Sequence, residues 1–187
     1  FAYHCREAVH MAVDKMVAPI AIGKDAEDIS ALMTDLQRRL HLFGRYGITM
    51  FALSGLDIAL WDAAGKSAGL PLCRLMGGRL RNDIPGYSSL FNYSDPDIVA
   101  EKTKQSIDEG YCYVKLHETG VAEVEAARNA AGIDFPIMVD TNCPWTPEKA
   151  KRMALAFKDL DVYWLEEPIF PPEDFVALAR LRAETGV

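Results

Sequence analysis

The chain has 187 residues, half of them apolar and a quarter charged, with a formal net charge of −7 at pH 7. This composition is typical of a globular protein, and the acidic balance argues against a nucleic-acid or anionic-membrane surface. No apolar run approaches the roughly 20 residues that span a bilayer. The four cysteines form no CxxC pair. We therefore expect reduced thiols, a cytoplasmic protein, and neither nucleic acid nor membrane among its partners.

Residues 1–80 are predicted to be helical. The segment DAEDISALMTDLQRRLH predicts one helix, because its apolar residues recur at helical spacing. A Gly-bearing loop, FGRYGI, follows, and TMFALSGLDIALWDAAGKSAGL predicts a second, longer helix. The longer helix is so apolar that we expect it to be buried on most sides.

From about residue 83 the pattern changes, and four short apolar runs are each followed by an amphipathic helix. The runs are DIPGYSSL, YCYVKLHE, FPIMVDTN and VYWLEEP. Such alternation predicts an α/β fold with a parallel sheet and right-handed crossovers. The sheet can be an open doubly wound sheet or half of a (β/α)8 barrel. No GxGxxG or P-loop follows any strand, which weakens the nucleotide-binding version.

Polar residues cluster at the predicted carboxyl ends of the strands, where α/β folds carry their functional groups. Lys115 and His117 are two positions apart in one strand, so they share a face. Asp140 and Glu166 end the next two strands and are expected to approach each other. Paired carboxylates without Cys or His ligands suit Mg²⁺.

Other interpretations of these four residues stay open. Both carboxylates could cap helices or pair with Lys115, and His117 could be a satisfied core residue. A lysine in such a recess can also act as a base if its pKa is lowered. Tyr87 and Ser89 on the first strand and Asn142 after the third are predicted to contact substrate, whereas Glu118, Trp61, Trp145 and Trp164 are read as structural.

Three motifs in the same order resemble the enolase superfamily, and within it the mandelate racemase and muconate-lactonizing group. They are ALSGLDIALWDAAGKSAGLPLCRLMGG, VDTN and WLEEP. The resemblance implies that residues 1–80 are the helical part of an α+β capping domain and its junction. Residues 81–187 would be the first four units of a TIM-type (β/α)8 barrel, and the chain would be incomplete, since a whole barrel takes about 250 residues.

The resemblance also implies the site chemistry. Asp140 and Glu166 would bind Mg²⁺, Lys115 would neutralise the substrate carboxylate, and His117 would replace a second lysine as the base. A third metal-binding carboxylate and a base on the opposite face are expected on strands beyond Val187.

The implied activity is removal of the proton α to a carboxylate through an enediolate, on a small carboxylic acid. Dehydration of a sugar acid is the first choice. Racemisation or epimerisation, cycloisomerisation, and a non-catalytic fragment stay open as alternatives, and a homo-oligomer is expected.

Overall fold

The computed structural model describes residues 4–187 of the chain, so residues 1–3 of the predicted helical part lie outside the described residues. The chain divides into two compact units, one ending at Asn82 and the other beginning at Asp83.

The first unit is helical. Its helices are α1 (Arg6–Ala12), a π-helical turn (Val13–Val17), α2 (Ala18–Ala21), α3 (Ile29–Arg39), a 3-10 turn (His41–Phe43), α4 (Gly47–Ala68) and α5 (Leu72–Leu75). The predicted apolar stripe of α3 is confirmed, because Ile29, Leu32, Leu36 and, just after the helix, Leu40 are buried, while Met33 is half-buried. Gly69 ends α4 with a φ of 63°, a left-handed conformation that glycine adopts without steric cost.

Helix α4 differs from the sequence expectation in two ways. Most sides of α4 are not covered by other residues: Leu53 is in the core, but Ile58 is 64% exposed. The reason is that α1, α3 and the π-helical turn cover one side of it. Within residues 4–187, α4 is also the single helix long and apolar enough to cross a membrane, by length and composition alone. The expectation that no apolar run approaches the length needed to span a bilayer is therefore wrong.

The second unit alternates strands and helices. Its elements are β1 (Ser88–Ser89), α6 (Pro96–Asp108), β2 (Val114–Leu116), α7 (Val121–Ala131), β3 (Ile137–Asp140), α8 (Pro147–Asp159), β4 (Val162–Glu166) and α9 (Phe175–Thr185). Three of the helices begin at a side-chain cap, in which Asp95, Thr146 and Asp174 accept hydrogen bonds from backbone amides of the first turn.

The four strands are parallel and lie in the order β1-β2-β3-β4. Alternate residues of β2 and β3, such as Leu116 and Val139, join one core to which the four helices contribute Val99, Ala127, Phe157 and Leu181. All four helices therefore cover the same face of the sheet. A doubly wound sheet carries helices on both faces, so this is the architecture of a partial (β/α)8 barrel, with its inner face formed by the other residues.

The first strand is shorter than the segment DIPGYSSL predicts. Only Ser88 and Ser89 pair with β2, opposite Val114 and Lys115. This short strand still brings the residues after it close to the end of β2.

Candidate active site

Lys115 is the centre of a polar cluster on the inner face of the sheet. Its Nζ lies 3.1 Å from Oδ2 of Asp140 and 3.4 Å from Oε2 of Glu166. Lys115 and Asp140 are only 8% and 7% exposed. The pairing of Asp140 with Glu166 across β3 and β4 brings the two carboxylates side by side.

The charge state of Lys115 follows from this environment. Burial lowers the pKa of Lys115, but the hydrogen bond and charge of Asp140, with the charges of Glu166 and Tyr87, outweigh it and hold that pKa above 10.5. In this arrangement Lys115 is an ammonium group and supplies positive charge.

His117 lies on the same face, beside Lys115. Its Nε2 is 3.3 Å from Oδ2 of Asp140, and its Nδ1 contacts the carbonyl oxygen of Leu90. A carbonyl oxygen only accepts hydrogen bonds, so Nδ1 carries the hydrogen and Nε2 is directed to the polar cluster.

The segment after β3 holds both carboxylates in place. Oδ1 of Asp140 accepts hydrogen bonds from the backbone N and side-chain Nδ2 of Asn142, both at 3.1 Å. The backbone N of Thr141 donates to the Glu166 carbonyl at 3.0 Å, and its hydroxyl donates to the Glu167 carbonyl at 3.0 Å. Asn142 and Glu167 have positive φ values of 56° and 47°. The chain thus turns sharply after each carboxylate, and Thr141 ties the two turns together.

An aromatic pair lies one layer deeper on the same face. The ring of Tyr87 is 5.7 Å from Nζ of Lys115 and packs edge-on against Trp164 at 6.3 Å. Trp164, expected to be structural, is 37% exposed, and its Nε1 donates to Oε2 of Glu166 at 3.2 Å. Its position two residues before Glu166 is the signal that places both on one face. Ser89 is directly opposite Lys115 in the sheet.

Two other sequence interpretations concern residues outside the cluster. Trp145 is a core residue, 2% exposed and packed against Phe157. Glu118 is buried and accepts hydrogen bonds from the backbone of Tyr93 and Ser94, in agreement with a structural role. The contribution of Thr141, whose hydrogen bonds join the ends of β3 and β4, was not predicted.

The donor chemistry of the cluster fits a hard divalent cation. The inner face offers two adjacent carboxylates, and a cationic ammonium already lies against both of them. Among residues 4–187, no group of three or more His, Cys, Asp or Glu side chains could hold a metal ion. Asp140 and Glu166 could hold such an ion together, since Mg²⁺ accepts one or two carboxylates with water and substrate oxygens in the other positions.

The family follows from comparison with known proteins. Residues 1–77 match the mandelate racemase/muconate lactonizing enzyme N-terminal domain, and residues 98–187 match the family described as enolase C-terminal domain-like. The chain belongs to the enolase superfamily, in its mandelate racemase and muconate lactonizing enzyme group.

Relatives in this group include several enzymes. The chain is 36% identical to 3,6-anhydro-alpha-L-galactonate cycloisomerase of Streptomyces coelicolor, over 98% of this chain and 52% of the relative. It is 32% identical to arabinonate dehydratase of Saccharolobus solfataricus, over 100% of this chain and 52% of the relative. A racemase from Streptomyces coelicolor A3(2), crystallised with magnesium, has a TM-score of 0.88 at 34% identity over 96% of this chain and 52% of that chain. The chain spans about half the length of the curated relatives it matches.

Proposed function

We propose that this protein is a Mg²⁺-dependent enzyme that removes the proton α to the carboxylate of a sugar acid and dehydrates that acid. The observation that carries this proposal is the convergence of Lys115, His117, Asp140 and Glu166 at the ends of three adjacent parallel strands. This combination provides positive charge, an imidazole and a pair of carboxylates within one recess.

Asp140 and Glu166 are the proposed metal ligands. When bound, Mg²⁺ supplies a Lewis acid that stabilises negative charge on the substrate carboxylate. The Asn142 amide orients Asp140 through Oδ1 and leaves Oδ2 facing the recess. Trp164 orients Glu166 by donating to Oε2, the oxygen that Lys115 also contacts.

Lys115 is proposed to supply positive charge and His117 to transfer the proton. The ammonium of Lys115 attracts the substrate carboxylate and favours the enediolate, which carries one more negative charge. Nε2 of His117 accepts the α-proton, and the imidazolium then returns a proton to the departing β-hydroxyl, which leaves as water. The resulting enol becomes a 2-keto acid. Tyr87, Ser89 and Asn142 are the proposed substrate contacts on this face.

Cycloisomerisation is the second candidate. It is supported by the 36% identity to a relative named as a cycloisomerase. The same α-proton transfer serves both reactions, and they differ in the leaving group. Dehydration releases water from an open-chain acid, whereas cycloisomerisation breaks a ring C–O bond and releases nothing.

The test is α-proton exchange in D₂O with the full-length protein, Mg²⁺ and a panel containing arabinonate and 3,6-anhydro-L-galactonate. His117→Ala should abolish most exchange and keep the Mg²⁺ affinity, whereas Asp140→Asn should weaken both. His41→Ala, in the helical unit, is the matched histidine control. Wild-type exchange in His117→Ala would exclude His117 as the base.

Product analysis separates the candidates. A 2-keto acid with loss of water indicates dehydration, and an open-chain isomer of the anhydro sugar indicates cycloisomerisation. Exchange that yields only the substrate with the opposite configuration at the α-carbon indicates a racemase or epimerase.

The location and assembly of the protein belong to the same proposal. A cytoplasmic location is supported by the four free cysteines. A homo-oligomer is supported by the apolar side chains of Leu42, Phe43 and Tyr46, which are exposed in the helical unit. Cell fractionation and light scattering check the two statements.

A further inference from the structure

The end of β2 is tied to the loop after β1 by side-chain hydrogen bonds. Nδ2 of Asn92 donates to the carbonyl of His117 at 2.6 Å. Oε1 of Glu118 accepts the backbone N–H of Tyr93 at 2.7 Å, and both of its oxygens lie 3.3 Å from the backbone N of Ser94. The hydroxyl of Ser94 donates to Oδ1 of Asn92 at 2.7 Å. These contacts make one connected network, which we call the β1–β2 clasp (Asn92, Tyr93, Ser94, His117, Glu118).

Burial of the Glu118 carboxylate costs more free energy than an apolar side chain would at the same position. Glu118 is 1% exposed, and burial raises its pKa, while the amides of Tyr93 and Ser94 act in the opposite direction. A buried carboxylate is tolerated when hydrogen bonds replace its water. Here those bonds go to the loop after β1, so the carboxylate holds that loop against the end of β2. Ser94 is also in a left-handed conformation, with a φ of 53°.

The same loop supplies the partner of the His117 ring. Leu90 donates its backbone N–H to the Lys115 carbonyl at 2.9 Å and offers its own carbonyl to Nδ1 of His117. The Leu90 carbonyl favours a hydrogen on Nδ1, because a carbonyl oxygen only accepts hydrogen bonds. It also sets the direction of Nε2, which lies 3.3 Å from Asp140.

We infer that Asn92 and Glu118 are positioning residues of the active site. Through the β1–β2 clasp they hold the Leu90 carbonyl on Nδ1 of His117, which keeps Nε2, the proposed proton acceptor, directed into the recess. The inference rests on the proposed function, in which His117 is the base. The only transfer involved is the movement of a proton from the substrate α-carbon to Nε2.

The first readout needs no substrate. Long-range ¹H–¹⁵N NMR of the full-length, histidine-labelled protein, above the pH range of imidazole protonation, reports the tautomer of each ring. The signal of His117 is the one missing from His117→Ala. The wild type should show the Nδ1–H form, and Asn92→Ala and Glu118→Gln should show a mixture of both tautomers.

The second readout separates positioning from general damage. In both variants α-proton exchange of arabinonate should fall about 10- to 100-fold, since displacement of a reacting group by about 1 Å costs up to this much. The Mg²⁺ affinity, measured by calorimetry, should stay at the wild-type value. Asp97→Asn, on the exposed first turn of α6, removes a carboxylate beside the clasp and should leave every readout unchanged.

The outcomes distinguish this inference from the proposed function. A wild-type tautomer signal in both clasp variants overturns the inference. If His117→Ala keeps wild-type exchange, the proposed base is wrong, and the tautomer readout still decides whether the clasp orients the ring. If Glu118→Gln does not fold, Asn92→Ala alone decides, because Asn92 is exposed and its loss leaves Glu118 in place.

Discussion

The ammonium of Lys115 and the carboxylate of Asp140 form a buried ion pair, with Nζ 3.1 Å from Oδ2. The same ammonium lies 3.4 Å from Glu166. Lys115 therefore balances the two carboxylates that are proposed to bind the metal. A divalent cation at these oxygens has to share them with, or displace, the lysine.

The first prediction follows from this competition. Lys115→Met should bind Mg²⁺ no more weakly than the wild type, and up to about tenfold more tightly, equivalent to ~1.4 kcal/mol of relieved repulsion. Its α-proton exchange should nevertheless be lost, because the substrate carboxylate has no ammonium partner. Calorimetric titration with Mg²⁺ measures the affinity, and Lys102→Met, on α6, is the lysine control. Weaker Mg²⁺ binding in Lys115→Met would mean that the lysine supports the metal site instead of competing with it.

Thr141 carries the second prediction, since its hydroxyl and amide join the ends of β3 and β4. Thr141→Val keeps the shape of the side chain but removes the hydroxyl, so the Glu167 carbonyl loses this hydrogen-bond donor. We expect the free energy of unfolding to fall by about 1 kcal/mol and the Mg²⁺ affinity to fall by about tenfold, as for other residues that orient metal ligands. Urea unfolding and calorimetry measure the two changes.

Two further threonine variants make the Thr141 test specific. Thr141→Ser retains the hydroxyl and should restore the affinity. Thr185 is a second buried threonine, whose hydroxyl donates to the Leu181 carbonyl at 2.8 Å in α9. Thr185→Val should cost similar stability and leave the metal affinity unchanged. An equal loss of affinity in both valine variants would show a general loosening of the fold.

The order of the sheet and the converging charges were predictable from the sequence. Strand residues alternate faces with a period of two, and parallel strands end at the same edge, so the relation of Lys115 to Asp140 and Glu166 needs only the correct strand assignment. Magnesium is found in a solved relative. The roles of individual site residues remain predictions.

Contacts that depend on loop conformation were not predictable. The clasp between Asn92 and Glu118 requires the left-handed Ser94, which no periodic pattern indicates. The partial exposure of Trp164 depends on what fills the inner face of the barrel, and its apolar character alone suggests a core position. The burial of α4 was overestimated for the same reason, because composition does not tell how many sides neighbouring helices cover.

Arg128 gives the third prediction. It is 6% exposed, and its guanidinium donates to five carbonyl oxygens at 2.6–3.2 Å, those of Gly132, Ile133, Phe135, Leu160 and Asp161. These carbonyls belong to the loops before β3 and β4. Arg128→Met should lower the free energy of unfolding by on the order of 3 kcal/mol, because buried carbonyls lose a charged donor.

The control for Arg128 is Arg152→Met, an exposed arginine on α8 with a contact of 3.4 Å to the Glu148 carbonyl. Its effect should stay within about 0.5 kcal/mol. Urea unfolding at neutral pH compares the two variants. Equal effects would contradict the proposed role of Arg128 as the link between the two loops.

The last prediction concerns pH and the contact between α8 and α9. Hydrogen bonds from Lys151 and Arg180, at 2.8 Å and 2.6 Å, lower the pKa of Glu184 from 4.5 to about 2. Because the pKa is lower in the folded chain, the stabilisation is fully present above pH 4.5 and is lost as the pH falls towards 2. Glu184→Gln should therefore be less stable than the wild type at neutral pH, and the difference should shrink in acid and in high salt. Urea midpoints across this pH range measure it, with Glu125→Gln on α7 as the matched control. A difference between wild type and Glu184→Gln that is independent of pH would show that packing, and not the charge of Glu184, links the two helices.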